Sequence, residues 1–520
     1  MWILIRKEIL AYLLTLRLSA ALIFTITLVV MTTFIGSLDY SQRMKSYYKE
    51  AKQISENLDN ATTYRQVYPN IAVRPKPLSI FGRGVDRSIG SMLYISTSYI
   101  PTSPSWHGGT NDSHLMKILI PIDFTMVVTL LLSFLAVALG FDNICGERER
   151  GTLKQILTNG ISRNHIVLAK LLGGILTLTI PLTIGLVFAL LILMANPDIS
   201  FSPNDWVRLG IFYILSCLFL SQIFSWSFMV SCFTRNSSTS LIICLFTWLI
   251  GSVVYINVLP SYSRHAVEEE PVQLFRNRND DNWAAYERQM EEWEKKNPSP
   301  GEAYLKGIQH GGYLRYAHPK GYEWLQKRNA YSIERLMEFA EKRYKALWAH
   351  QVAFAHQAFL VDRWSILSPY TNYRTLTYQL ARTTLDDKFY LVKLGHRYRQ
   401  TFIDYLRGRN AFSSRRWFSD DPEDQEPMIL HPGEVTPKML TADAPFMKER
   451  MVWVQDQEKK AERDPRRKLD LSGLPRFDIT SERSLAQSLI VMTSGLIVLV
   501  LTLGLSILIS MYRFQKYDPS

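Results

Sequence analysis

Six apolar runs, each long enough to cross a bilayer, constrain this chain more than anything else in it. About 20 consecutive apolar residues span the hydrocarbon core. The runs fall at 18–38, 117–141, 165–195, 207–233, 239–259 and 485–512. Lipid offers the backbone no hydrogen bonds, so each run is predicted to be a helix. The expected fold class is an α-helical polytopic membrane protein with six transmembrane helices. Overall composition conceals this: 47% hydrophobic residues is an ordinary value for a soluble domain. The two long segments 39–116 and 260–484 supply the polar balance. No run carries a charge at its centre, and Asp123 lies near the start of the second. That argues against a proton relay or a voltage sensor, which need ionisable groups at depth.

Orientation follows from the short connections. Arg6, Lys7 and Arg17 precede the first run; Arg148, Arg150, Lys154 and Arg163 lie between the second and third; Arg235, Arg513 and Lys516 follow the fourth and sixth. By the positive-inside rule these places are cytoplasmic. The loop 196–206 has two aspartates and no Lys or Arg, which puts it outside, along with both long polar segments and opposite the two termini. The net charge of +12 is then explained by an anionic inner leaflet, with membrane lipids as partners and no need for nucleic acid.

The expected organisation runs as follows. Residues 1–17 form an amphipathic helix with Arg6, Lys7 and Arg17 on its polar side and Trp2, Ile9, Leu10, Leu13 and Leu14 as its apolar material. It lies flat in the inner interface or extends the first span inward; it is too unlike a signal peptide to be one. The first span, 18–38, continues into segment 39–116, where Tyr40, Met44, Tyr47, Ala51, Ile54 and Leu58 recur at helical spacing. The stretch 91–100, "SMLYISTSYI", alternates like a strand and is the minor β element of a mainly helical outer region. Spans two to five occupy 117–141, 165–195, 207–233 and 239–259, with a cytoplasmic loop at 142–164. In the large outer segment 260–484, Trp283, Tyr286, Met290 and Trp293 share one helix face. A long helix ends at "SPY" 368–370, and the helices after it are expected to fold back as an outer hairpin. Residues 411–470 lack periodicity and read as loop or a mobile tip. The sixth span, 485–512, leads to a cytoplasmic tail, 513–520.

Several chemistries are missing. There is no G-x-x-x-x-G-K-[ST], no H-E-x-x-H and no G-x-S-x-G. "DLSGLPRF" at 470–477 has the look of an ATPase signature loop but stands without a phosphate loop. His350 and His356 are six apart on one helix and do not converge as zinc ligands must. Cys145, Cys217, Cys232 and Cys244 all sit in or beside spans, so no disulfide framework is expected outside. Asn60, Asn111 and Asn236 match the glycosylation pattern at the chance rate. No catalytic residue, cofactor site or metal site is expected in this chain.

The remaining feature is "GERERGTLKQILTNG", 146–160. Leu153, Ile156 and Leu157 make a small apolar face, ringed by Glu147, Arg148, Glu149, Arg150 and Lys154. Asn159-Gly160 stops the helix, and Ser162 caps the next span. Two readings stand level on these residues. One is a rigid helix whose apolar face fills a groove on a soluble partner; the other is a solvated turn that orients the spans.

This stretch resembles the motif that follows the second span in ABC-2-type permeases, the membrane subunits of ATP-driven exporters. Glu147, Glu149, Gly151, Thr152, Leu153, Ser162, Arg163 and Lys170 match, while His165 stands where the family often has a Glu. "KPLSIFGRGVD", "LSPYTNYRTLTYQLARTT", "YRQTFIDYL", "SGLPRF" and "YRFQKYD" resemble a subgroup with a large outer insertion before the last span, related to gliding-motility and copper-enzyme-maturation permeases. The resemblance implies a bacterial inner-membrane subunit, paired with a second copy or a paralogue, and a cytoplasmic ATPase that holds the ATP and magnesium. It implies docking through Glu147, Arg148, Glu149, Gly151, Thr152, Leu153, Ile156 and Leu157, with the two glutamates as anchors and Leu153 and Ile156 in the ATPase groove. A path along the second and fifth spans would include Ser133 and Thr247. The alternative implied use of ATP is mechanical work on an envelope partner through the outer domain. A membrane-anchored sensor without an ATPase ranks last, since it leaves the motif unexplained.

Overall fold

The computed structural model describes residues 1–85, 91–101, 123–158, 162–266, 272–310, 313–421, 426–461, 464–477 and 483–516. The expected start of the second run at 117–122, Asn111 and the helix stop at Asn159-Gly160 lie outside them. Six helices are long and apolar enough to cross a membrane: Leu18–Asp59, Phe124–Glu149, Arg163–Met194, Pro203–Phe233, Ser237–Leu259 and Leu485–Gln515. The chain is an α-helical multi-pass membrane protein. Three spans begin at serine caps. Ser202 accepts from the Asp205 amide at 3.2 Å and Asp205 accepts from the Ser202 amide at 3.0 Å. Ser484 and Gln487 exchange the same pair of bonds, and Ser162 accepts from the His165 amide. Each cap satisfies amides that a helix start otherwise leaves open.

The N-terminal helix, Trp2–Leu13, is separate from the first span, because Thr15 adopts an extended conformation between them. Its inward face is Ile5, Glu8, Ile9 and Tyr12, which packs across the third span; Trp2, Ile3 and Leu14 face outward. The approach is close at Gly173, where a Cβ would come within 2.8 Å of Glu8 Cβ. The helix containing the first span runs unbroken for 44 residues, Leu16–Asp59, or about 66 Å. Tyr40 and Met44, on the periodic face, are buried among the spans. The second and fifth spans each contain one π-helical turn, Val128–Leu132 and Ile250–Val254. The sequence pattern held no sign of them.

The polar domain has its own core, centred on Val392, Phe402, Ile403 and Leu406 of helix Leu385–Gly408, with Ile71, Leu93 and Leu314 against them. Helices Val272–Lys296 and Pro319–Ser365 zip together through aromatic pairs, Trp283 with Phe339 and Trp293 with Tyr331. Two short antiparallel ladders complete it: Ile71–Ala72 with Met92–Leu93, and Ile308–His310 with Tyr313–Arg315. Arg399 is fully buried. It donates to the carbonyls of Ser96 (2.8 Å) and Thr97 (2.6 Å) and pairs with Glu341 at 3.3 Å. Burial pushes its guanidinium down to about 10, against the pull of Glu341.

Three expectations need correction. The alternating stretch 91–100 gives only two ladder residues, Met92 and Leu93. Beyond them Asn70 takes the place of a partner strand, its Oδ1 accepting from the Ile95 amide at 2.9 Å. The described residues of 411–470 are tied together by ion pairs that no hydrophobic period reveals. Arg315 forks onto Asp420 with two bonds of 2.8 Å and reaches Glu458 at 3.1 Å, which holds helix Pro445–Ala461 over Met428 and Ile429.

The third correction is the largest. Helix Pro369–Ala381 does not join an outer hairpin; it is seated among the spans. Ser368 Oγ donates to the Gly251 carbonyl of the fifth span at 3.0 Å. Asn372 Nδ2 donates to the Gly495 carbonyl of the sixth at 3.0 Å. Tyr373 stacks on Phe219 of the fourth with centroids 4.5 Å apart, and its hydroxyl meets Ser216 Oγ at 2.7 Å. Arg208, fully buried in the fourth span, donates to the Leu380 carbonyl (2.9 Å), Ser488 Oγ (3.1 Å) and the Arg483 carbonyl (3.2 Å). Hydropathy misses this wedge because its side chains are polar and find their partners on the spans.

A Cβ at Gly495 would lie 2.5 Å from Asn372 Oδ1 and 2.9 Å from Leu376 Cδ2, whereas one at Gly504 meets nothing within 4 Å. Gly495→Leu is therefore expected to cost about 2 kcal/mol through overpacking, read as a lower Tm in detergent; Gly504→Leu on the same helix should leave Tm unchanged. A pH effect is expected where the wedge meets the polar domain. Burial, and then the charge of Asp386, pushes the Asp362 carboxyl up to about 6. The folded state keeps this proton to higher pH than the unfolded chain, so stability falls as pH rises from about 4 to about 6. Asp362→Asn should raise Tm above that window and leave it unchanged below.

Candidate functional site

The turn between the second and third spans is two short helices, Cys145–Glu149 and Thr152–Thr158. Gly151 joins them at φ +75° with open space around it. Its glycine is needed for that left-handed conformation and not for room.

Each charged residue of the first helix bonds to a different neighbouring element. Glu147 accepts from Lys170 Nζ of the third span at 2.7 Å, and the same ammonium reaches Glu8 of the N-terminal helix at 3.4 Å. Lys170 is buried, so the two carboxylates compensate a charge that water does not reach. Arg148 donates to the Thr234 carbonyl at the end of the fourth span, at 3.0 Å. Glu149 accepts from the Ser237 amide at 2.9 Å and from its hydroxyl at 2.5 Å. It thereby supplies an anionic cap to the start of the fifth span, whose own N-cap, Asn236, makes no side-chain capping bond. Ser231 Oγ of the fourth span accepts from the amides of Ile144 and Cys145 at 3.0 and 3.1 Å. Tyr12 donates to Asn143, tying the N-terminal helix to the turn a second time. Arg163 and Asn164, at the start of the third span, bond Gln515 at the end of the sixth.

These bonds change the expected roles. Leu153 is 1% exposed, and Ile156 and Leu157 are half-buried against the same core. The apolar trio thus packs inward against the spans, with Leu153 the most deeply buried of the three. Glu147 and Glu149 are occupied by Lys170 and Ser237. Arg150, Gly151, Thr152, Lys154, Gln155 and Thr158 face outward. Sequence reasoning missed Glu8, Tyr12, Asn143, Ser231 and Ser237. Lys170 was a usable signal: a lysine inside an apolar run needs an acidic partner.

Of the two path residues, Ser133 is buried and accepts from Trp248 Nε1 at 2.9 Å, which joins the second span to the fifth. Thr247 is half-buried and borders a cavity of about 420 Å³, whose other lining residues include Gln222, Trp226, Tyr370 and Thr502. The structure does not bring the two to one surface. Among the described residues no group of three or more His, Cys, Asp or Glu is placed to hold a metal ion.

Comparison with known proteins agrees with this architecture. A probable ABC transporter permease protein NosY of Pseudomonas aeruginosa is 32% identical over 107 residues, covering 20% of this chain and 39% of that protein. Its namesake from Stutzerimonas stutzeri is 28% identical over 159 residues, covering 30% of this chain and 57% of that protein. The chain therefore spans less than two thirds of the length of either relative. The profile of the ABC-2 family transporter proteins, by contrast, matches residues 2–519. This chain belongs to the ABC-2 transporter family and is an ABC transporter membrane subunit.

Proposed function

We propose that this subunit turns ATP hydrolysis on a separate cytoplasmic ATPase into movement of its spans, and that the ATPase docks on the outward face formed by Arg150, Thr152, Lys154, Gln155 and Thr158. The observation that carries this reading is the bonding of one turn to the N-terminal helix and to the third, fourth and fifth spans. A push on such a turn reaches four helices at once. The turn side carries Arg6, Lys7, Arg148, Arg150, Lys154, Arg163, Arg235 and Arg513, which supports a cytoplasmic orientation in a bacterial inner membrane, with the polar domain outside. ATP and magnesium belong to the ATPase subunit, and a second copy or a paralogue of this chain completes the assembly. On this reading the ATPase drives export of a cargo, with the second and fifth spans and the cavity at Thr247 as its route.

A second reading has a specific observation behind it. The wedge Pro369–Ala381 is held by the fourth, fifth and sixth spans and is covalently part of the polar domain. Span movement would therefore pass into that domain and act on an envelope partner, without a cargo crossing the bilayer.

The docking face is tested by co-purification with the cognate ABC ATPase subunit. Thr152→Trp combined with Lys154→Glu should weaken association at least tenfold, about 1.4 kcal/mol, with Tm unchanged. Association at wild-type strength would sink the docking assignment. Lys170→Met leaves two carboxylates without their cation, at a cost of about 3 kcal/mol. It should lower Tm and the ATPase rate of the complex while the ATPase still co-elutes. A Tm and rate equal to wild type would show that the triad transmits nothing.

A further inference from the structure

The polar domain carries a feature that the transport reading does not use. Helix Leu385–Gly408 starts at the membrane face, where Asp386 and Asp387 pair with Arg483 beside the cap of the sixth span. It rises 24 residues, about 36 Å. At its far end four segments border a shallow, open cavity of about 320 Å³, lined by Tyr64, Arg409, Arg416, Asp421, Arg466, Lys468, Leu469 and Asp470. Four of these side chains are cations and two are carboxylates.

How the cations are held decides what the cavity favours. Arg416 is fixed by backbone carbonyls: Asp420 at 3.0 Å, Arg467 at 2.6 Å and Lys468 at 3.2 Å. Arg409 donates to the carbonyls of Asp470 (2.6 Å) and Ser472 (2.5 Å), with the Asp470 carboxylate farther away at 3.6 Å. Carbonyls orient a guanidinium without cancelling its charge, so Arg416 offers more of its charge to a ligand than Arg409, which Asp470 partly offsets. Arg466 is forked onto Asp464, and Lys468 is exposed at the rim. Asp421 is drawn the other way, toward Tyr322 and the Tyr316 amide. Burial holds the Arg416 pKa below its usual value; Arg467 and Arg415 push the same way, against Asp420 and Tyr64. An anion in the cavity would relieve that stress, and rigid guanidinium forks match the geometry of phosphate and carboxylate.

We infer that this cavity at the head of the polar domain is a binding site for an oxyanion, a phosphate or carboxylate group carried by a soluble solute or by a polyanionic envelope polymer. Headgroups of the protein's own membrane lie some 36 Å below, by the rise of the helix, and do not reach it. The volume suits a group of sugar-phosphate size, near the lower end of ligand pockets. The site is independent of ATPase docking and of any cargo path, so it stands or falls separately from them.

The test is calorimetric titration of the full chain in uncharged nanodiscs at constant ionic strength, with inorganic pyrophosphate and, in a second arm, long-chain polyphosphate. Wild type should bind pyrophosphate saturably. Lys468→Glu and Arg466→Glu, both at exposed positions, should each weaken it at least tenfold with Tm unchanged. Lys459→Glu, an exposed charge outside the cavity, should bind as wild type does. Polyphosphate binding much tighter than pyrophosphate, and lost in the same variants, would identify a polymer as the source; equal affinities would identify a free solute. Absence of saturable binding in wild type would overturn the inference. So would equal weakening by Lys459→Glu and Lys468→Glu, which would reduce the effect to general surface charge. If Lys468→Glu lowers Tm, Lys468→Met replaces it, with the same tenfold loss required.

Discussion

A helix as polar as Pro369–Ala381 sits among membrane spans at low cost only where the hydrogen-bonding groups it brings find partners there. Ser368, Asn372 and Tyr373 meet this condition on three different spans, and Arg208 meets it for the carbonyl of Leu380 at the helix end. The arrangement depends on the spans as much as on the wedge. Gly495 must lack a side chain where Asn372 arrives, and Ser216 must stand opposite Tyr373. Once satisfied, these bonds are shielded from water and strengthened by the low dielectric around them. The polar domain is thereby anchored in the bilayer by more than its four chain connections.

The charged turn on the opposite side follows the same rule with ions. Its alternating glutamates and arginines resemble a solvated surface, yet Glu147, Arg148 and Glu149 each have a defined internal partner: Lys170, Thr234 and Ser237. Spacing explains why alternation is useful. Consecutive positions on a short helix point about 100° apart, so three neighbouring charges address three separate elements. The motif is thus a junction, and its outward side chains are Arg150, Thr152, Lys154, Gln155 and Thr158.

What the sequence made legible is what depends on near neighbours in the chain. Span number, the serine cap at 162, the periodic face of Tyr40 and Met44, and the turn's apolar trio all follow from local pattern. The trio's direction was not legible, because an apolar face looks the same whether it meets a partner or the protein's own core. Contacts across long separations were hidden for a similar reason. Glu8 and Lys170, or Arg315 and Asp420, become pairs only after the spans and helices are placed. The wedge was obscured because hydropathy scores each side chain alone, whereas Asn372 is tolerated in the membrane by virtue of Gly495.

The unbroken helix Leu16–Asp59 has a mechanical consequence. It enters the bilayer beside the junction and ends at the head of the polar domain, next to Tyr64. Treated as a rigid rod of about 66 Å, it is a lever with a long arm. A tilt of about 5° at its foot would sweep its tip through roughly 6 Å, on the scale of one helical turn. Displacements too small to break a side-chain contact at the junction would arrive at the head as steps wide enough to reshape a cavity.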